Sequence, residues 1–550
     1  MLKGFSAAAV ILTLCFSSSL PAAEPFGFAE MFKVKKAASP QLSPDGKYVL
    51  FMLYEADSTQ NRWTSDIWRV STGSEEAIPL INGKENESSP RWSLDGENIF
   101  FISKHKDRPA IFEISNSGGE SRLLFSHAAA IRQLAVGPEG KYLYFLARDS
   151  LSETEKEENE KGQDAYIVDE SEKASHLWRY DLAAHSKKQL TQGDYSLLEF
   201  RLSRTGSQVV FTAAPTPRRD DYLKREIYLL DLNSGSEKKL TNNNIAERNL
   251  QWSAGGESLL FISDASSELQ TYHLESLFKL DLAGGEPHDL LPAFEDQVFD
   301  FFPGKKDKIY FTANTGVNTQ FFLLDTQRGR LSKISSADHD IRSLHYLPQI
   351  NQVVYLESTP QNPGDILLAA PEKLPGRKIT RLNSWLDDYA MAKYQTVSWA
   401  SSDGYQAEGL LILPPEGIAA KPYPLVVQLH GGPESSYRNY FGSSWATYPQ
   451  VWAAHGYAVF QPNYRGSTGY GDKVMRAIIG HYFEKDVDDI ISGVDHLINN
   501  GIADPAKMAV MGWSAGGHLT NWIVTHFQRF KAASSGAGGA NWYSFYAQTD

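Results

Sequence analysis

Seven times between residues 40 and 380 the chain passes through the same alternation. A short apolar start meets a Gly, Asp or Pro turn, and an alternating aromatic or β-branched run follows. The segments are QLSPDGKYVLFML from Gln41, RWSLDGENIFFIS from Arg91, QLAVGPEGKYLYFLA from Gln133, RLSRTGSQVVFTA from Arg201, QWSAGGESLLFIS from Gln251, FFPGKKDKIYFTA from Phe301 and HYLPQINQVVYLES from His345. A period of two on both sides of a tight turn is the pattern of a β-hairpin. A second hairpin pattern interleaves with the first, from DIWRVSTGSEEAIPL at Asp66 to DILLAAPEKLPGRKIT at Asp365. Each unit therefore holds four strands. The turns fall near Gly46, Gly96, Gly140, Gly206, Gly256, Lys306 and Ile350, about 50 residues apart. Four strands repeating at that period predict propeller blades, and seven units predict seven blades. The longest interval contains SETEKEENEKGQDAYIVDESEK, Ser152 to Lys173, whose charge and scarcity of apolar residues predict an exposed insertion.

After Arg381 the period changes. YQTVSWASSDGYQAEGLLILP, from Tyr394, still reads as two strands around an Asp-Gly turn. YPLVVQLHGGP (Tyr423–Pro433) is a continuous apolar run that ends in glycines. VWAAHGYAVFQPNYRGSTGYG (Val451–Gly471) gives a helix end, a buried strand and a Gly-rich loop. Helical spacing follows at Val487, Ile490, Ile491, Val494 and Leu497, and KMAVMGWSAGG supplies another buried strand. Strands alternating with helices predict an α/β domain on a mostly parallel sheet. The expected division is a leader at 1–23, a propeller at 24–385 and the α/β domain at 386–550.

Within that domain VMGWSAGGH places Ser514 between Gly512 and Gly516. Gly-x-Ser-x-Gly alone is a weak signal. Here a strand precedes it and GGHLTNWIVTHF reads as a helix after it, which is the strand–turn–helix setting of a nucleophile elbow. Side chains at Gly512 or Gly516 would collide with neighbouring backbone, and a helix N-terminus favours developing negative charge. The upstream HGGP, His430–Pro433, suits an oxyanion loop. One N–H would come from Gly432, or from Gly431, and the other from Ala515. His430 precedes the serine and reads as a residue that orients the loop.

Composition narrows the classes. The chain has 550 residues, 42% of them apolar, and a formal net charge of −13. That balance disfavours nucleic-acid binding. Lys3, the apolar run through Phe16 and the small residues to Ala23 read as a secretory signal peptide cleaved near Ala22 or Ala23. The expected location is periplasmic or secreted, without stable membrane insertion. The one cysteine, Cys15, lies in that leader, where the bulky Leu14 before it argues against lipidation. Thiolate catalysis and cysteine–zinc sites are thereby excluded from the mature chain, and no cofactor or metal is expected.

The LSPDGK-style turns resemble propellers of the TolB and peptidase-associated kind. Together with LHGGP, NYRGSTGYG (Asn463–Gly471) and GWSAGG, they resemble the prolyl oligopeptidase family of serine peptidases, nearest its acylaminoacyl-peptidase and bacterial dipeptidyl-peptidase branches. The likeness spans nearly the whole mature chain. It implies an α/β-hydrolase domain, short peptide substrates and an acyl-enzyme on Ser514. In prolyl oligopeptidase itself a tyrosine serves the oxyanion loop. His430 near that place implies the all-backbone hole of the acylaminoacyl branch. Tyr464 and Arg465 match a family motif that packing explains as readily as substrate contact. The triad order of the fold is serine, acid, histidine. After Ser514 the chain offers His518, His526 and Asp550. Both histidines sit on the helix after the serine and point away from where a base is needed. The resemblance places the acid and the base beyond residue 550, so the expectation is that the sequence stops inside the catalytic domain. Competing readings are an esterase or lipase, and a non-catalytic propeller that binds proteins beside an inactive hydrolase domain. Exopeptidase and oligopeptidase activity remain alternatives at this stage.

Overall fold

The structure, a computed structural model, describes residues 25–548 apart from 82, 84, 164, 168–169, 244 and 265–271. The leader at 1–23 and Asp550 lie outside the described residues. Seven four-stranded antiparallel sheets span 36–79, 88–126, 131–189, 196–239, 248–289, 297–333 and 340–378, each in simple meander order. They are the seven blades of a propeller. The second strand of every blade follows the expected turn and is almost wholly buried, as in Val49–Leu53 and Leu259–Ser263. Gly46, Gly96, Gly140, Gly206 and Gly256 hold these turns at positive φ, where glycine is unstrained. In the last two blades Lys306 and Asn351 take the left-handed conformation instead.

A six-stranded sheet follows the propeller. Its order is Lys393–Ala400, Gln406–Leu413, Ala458–Asn463, Tyr423–Leu429, Ala503–Trp513 and Ala532–Gly536. The first two strands pair antiparallel, as do the second and third. The remaining pairings are parallel. The central strands are apolar on both faces because helices cover them. Lys485–Asn499 lays Val487, Ile490, Val494 and Leu497 into a core shared with Leu425, Phe460 and Val510. This is an α/β-hydrolase sheet on which the segment Ala515–His526 packs as the helix after the fifth strand.

The two domains meet on one face of the propeller, the face carrying the turns between second and third strands. The blade-six turn meets the hydrolase at Gly316, whose N–H donates to the Gly469 carbonyl, and at Val317, whose carbonyl accepts from Asn439 N–H. Buried Asn314 holds that turn. Its Oδ1 accepts from Ser436 Oγ at 2.6 Å and from Thr468 Oγ1 at 2.8 Å. In blade seven, Gln450 Nε2 donates to the Pro360 carbonyl. The charged insertion of blade three joins the second and third strands as well. It forms an exposed helix, Glu153–Glu160, capped by Ser152.

Residues 25–34 were expected to begin the propeller, but they pack on the hydrolase side. Phe26 and Met31 share a cluster with Leu386, Phe441 and Val451, and the Phe26 ring meets Trp385 and Tyr389. Apolar side chains ahead of the first blade need a core. The hairpin pattern that begins at Gln41 does not reveal which domain supplies it.

Candidate active site

Ser514 stands at the turn between the strand Ala503–Trp513 and the helix Ala515–His526. Its backbone sits at φ 57° and ψ −122°, a strained conformation for a residue with a side chain. The neighbours that permit this turn are small for steric reasons. A Cβ on Gly512 would lie 2.3 Å from the Gly516 carbonyl oxygen, and one on Gly516 would lie 2.3 Å from the Leu429 oxygen. The Ser514 side chain is exposed at the end of the sheet, whereas Ala515 is buried. Ser514 N–H donates to the Gly536 carbonyl, and the Ser514 carbonyl accepts from His518 N–H. The Ala515 amide lies in the first turn of the helix, where backbone N–H groups have no helical partner.

The HGGP loop comes against this turn. A Cβ on Gly431 would stand 3.3 Å from Ser514 Cβ and 2.9 Å from the Trp513 oxygen, so only glycine lets the loop approach. Gly432 is at φ 118° and packs against the backbone of Glu434. His430 is buried behind the loop and stacks on Tyr464 with ring centroids 4.4 Å apart. Its Nδ1–H donates to the Gly431 carbonyl at 2.9 Å, which leaves Nε2 to accept from Ser467 Oγ at 2.9 Å. Tyr464 O–H donates to the His430 carbonyl at 2.7 Å. Burial pushes the imidazole pKa down to about 4, so the ring is neutral at physiological pH. Both ring nitrogens are occupied in holding the loop.

Arg465, the next residue of the family motif, is bound structurally. Its Nη2 and Nε reach the two oxygens of fully buried Asp489 at 2.8 and 3.0 Å, and Asp403 takes Nη1. His518 packs its ring against Trp542 and Phe545, with centroids 5.0 and 5.6 Å away, and burial lowers its pKa. His526 stacks on Trp522. Among the described residues, no histidine or carboxylate side chain hydrogen-bonds the Ser514 hydroxyl.

Between the propeller and the HGGP loop lies a cavity of about 720 Å³, walled in part by Arg248, Glu275, Asp340, Arg342, Arg438 and Glu434. Glu434 is three residues from Gly431, so chain length alone keeps its Cα within about 11 Å of that glycine. The charges on these walls are largely paired. Glu275 takes both ends of the Arg248 guanidinium and also accepts from Gln297. Asp340 serves Arg438, at 2.9 Å, and Arg342. Burial opposes the charge on Asp340, but the two guanidinium groups outweigh it and hold the carboxyl at about 2. Sequence reasoning missed this cavity because its walls come from three blades and two hydrolase loops.

The prolyl oligopeptidase family profile matches residues 443–550, a span that contains the serine elbow. The uncharacterized peptidase YuxL of Bacillus subtilis is 29% identical over 94% of this chain and 82% of its own length. The matched segment, residues 443–550, belongs to the prolyl oligopeptidase family. The chain is a serine peptidase. Dipeptidyl-peptidase 5 of Porphyromonas gingivalis is 22% identical over 94% of this peptidase and 79% of its own length. In fold, the peptidase is similar to acylaminoacyl peptidase of Pyrococcus horikoshii, with a TM-score of 0.78 and 20% identity over 96% of this chain and 81% of that one. It is also similar to a puromycin-hydrolyzing peptidase of Mycobacterium tuberculosis, with a TM-score of 0.72, 17% identity, and 96% and 82% coverage.

Proposed function

We propose that Ser514 is the nucleophile of this peptidase and that its substrates are short peptides. The observation that carries the reading is the strained serine at the strand–helix turn with the HGGP loop packed against it. In the reaction, Ser514 Oγ attacks the carbonyl carbon of the scissile amide and passes its proton to a general base. The amide N–H groups of Gly432 and Ala515 hold the oxygen that becomes negative. The C–N bond then breaks, the amine leaves with a proton, and an ester to Ser514 remains. Water cleaves that ester and restores the hydroxyl. His430 positions the oxyanion loop and takes no proton, since its ring is neutral and fully engaged.

The propeller face beside the cavity supports the restriction to short chains. A folded protein cannot thread its backbone between two docked domains, but a peptide of a few residues can occupy such a space. Names among the relatives include dipeptidyl-peptidase and acylamino-acid-releasing enzyme. The test is a length series of one cleavable sequence, from about three residues to thirty, beside the same sequence inside a folded protein. kcat/KM should fall steeply with length and vanish for the folded protein. Equal cleavage of all lengths would contradict the reading. The leader pattern at 1–23 supports export to the periplasm or the outside, which N-terminal sequencing of the mature protein checks.

A further inference from the structure

The second strands of the seven blades align residue by residue, and at two of the junctions between blades the repeat is broken by acid. In the second strand of each blade the sixth position is Leu53, Ser103, Ala147, Ala213, Ser263, Ala313 or Glu357. In five blades its partner on the innermost strand is apolar: Ala37, Ile131, Leu197, Val298 and Ile341. In blades two and five the ladder stops one residue short, at Ser88 and Arg248, and the residue in the apolar place is Glu87 or Glu247. Each glutamate adjoins the preceding blade, and there the first residue of the third strand's core pairing is also acidic. Asp66 pairs with Leu53, and Glu226 pairs with Ala213. The same acid pair thus recurs at the junctions of blades one and two and of blades four and five.

These are costly placements. Glu247 is 0% exposed and Glu87 4% exposed. Among the described residues, neither Glu247 carboxylate oxygen nor Glu87 Oε2 makes a well-formed hydrogen bond, although the Thr241 and Asn243 side chains stand near enough to Glu247 to favour its charge. Native proteins seldom leave buried carboxylates in this condition. The surroundings are otherwise ordered. Glu226 Oε1 accepts from Asn243 N–H at 2.9 Å. The serines at the sixth position donate to backbone carbonyls of the junction loops, Ser103 to Asn86 and Ser263 to Ile245. Burial, with the neighbouring acid adding to it, pushes Glu247 to about 7 and Glu87 to about 8, so neither is at ease as an isolated anion.

We propose that each junction holds one divalent cation of the calcium type, between Asp66 and Glu87 in one and between Glu226 and Glu247 in the other. A single shared proton would satisfy one contact between the two carboxylates of a junction, whereas a cation engages several of their lone pairs at once. The side-chain donors are all oxygens, with no sulfur or imidazole, which selects a hard ion. Calcium accepts irregular shells of oxygen ligands better than magnesium does. Neither junction gathers a third acidic or imidazole side chain among the described residues. Neutral oxygens would complete the shell, including the Asn243 amide if it turns its oxygen inward. The ions would tie one blade to the next, and the inference does not depend on the proposed peptidase chemistry.

The test is elemental analysis of the purified chain, with thermal unfolding before and after prolonged EDTA treatment and after adding back calcium or magnesium. The expected content is two calcium ions per chain, falling to one in Glu247→Gln and in Glu87→Gln. EDTA should lower Tm by several degrees. Calcium should restore it, magnesium should do so weakly, and each variant should respond less. The proposal is overturned if no metal is retained and Tm ignores both EDTA and calcium while stability falls as pH rises from about 5 to 8. That pH dependence marks carboxyls held protonated in the native state. Metal that both variants still bind in full would overturn it equally. Should a variant fail to fold, the metal content and EDTA response of the unaltered chain decide.

Discussion

Ser514→Ala should lower kcat for peptide hydrolysis by about 10⁶-fold, the loss seen when a catalytic serine is removed from a serine peptidase. Substrate affinity should change little, because the cavity walls and the oxyanion amides stay in place. Stability should also hold. Among the described residues the hydroxyl makes no hydrogen bond that supports the turn, and alanine adds no atom to a site whose side chain is exposed. The backbone strain at φ 57° belongs to either residue alike. A kcat loss of only a few fold, at unchanged Tm, would mean the turn displays a serine that does no chemistry.

The second large effect concerns Arg465. Among the described residues it is the one cation on Asp489, which is 0% exposed and is otherwise held by Ser401 Oγ and the Arg465 N–H. Burial raises the Asp489 pKa even with the guanidinium present. Arg465→Ala leaves a buried charge without compensation and should cost about 3 kcal/mol. The sign of the pH dependence follows. Without Arg465 the folded-state pKa of Asp489 rises further above its unfolded value, so the native variant binds the extra proton. Its stability should fall as pH climbs above the unfolded carboxyl range, until the raised pKa is passed. Denaturant unfolding at pH 5 and pH 8 should show the larger deficit at pH 8. An equal deficit at both would mean that Arg465 contributes through packing alone.

The repeat was legible because each blade spells out a period of two around a turn, and because Gly46, Gly96 and their equivalents must bend at positive φ. The serine elbow was legible for a similar reason, since Gly512 and Gly516 are dictated by backbone that comes within 2.3 Å. Where contacts join distant segments the sequence is silent. Nothing in the FGF motif near Phe26 tells that it docks on Phe441. The reading of His430 as a loop-orienting residue came from chain order, yet its partners Ser467 and Tyr464 lie more than thirty positions away. Nothing in the sequence around Glu87 or Glu247 marks them as buried, since a lone glutamate beside a turn carries no such sign. They stand out only once the strands are paired and five apolar residues occupy the same place.

The central claim is that Ser514 forms a covalent bond to its substrate. The direct measurement is labelling of the active protein with a fluorophosphonate probe, followed by peptide mapping of the adduct. The account predicts one adduct per chain, on Ser514, with loss of peptidase activity in proportion to labelling and no adduct in Ser514→Ala. An adduct that persists in Ser514→Ala, or activity that survives full labelling of Ser514, would contradict it.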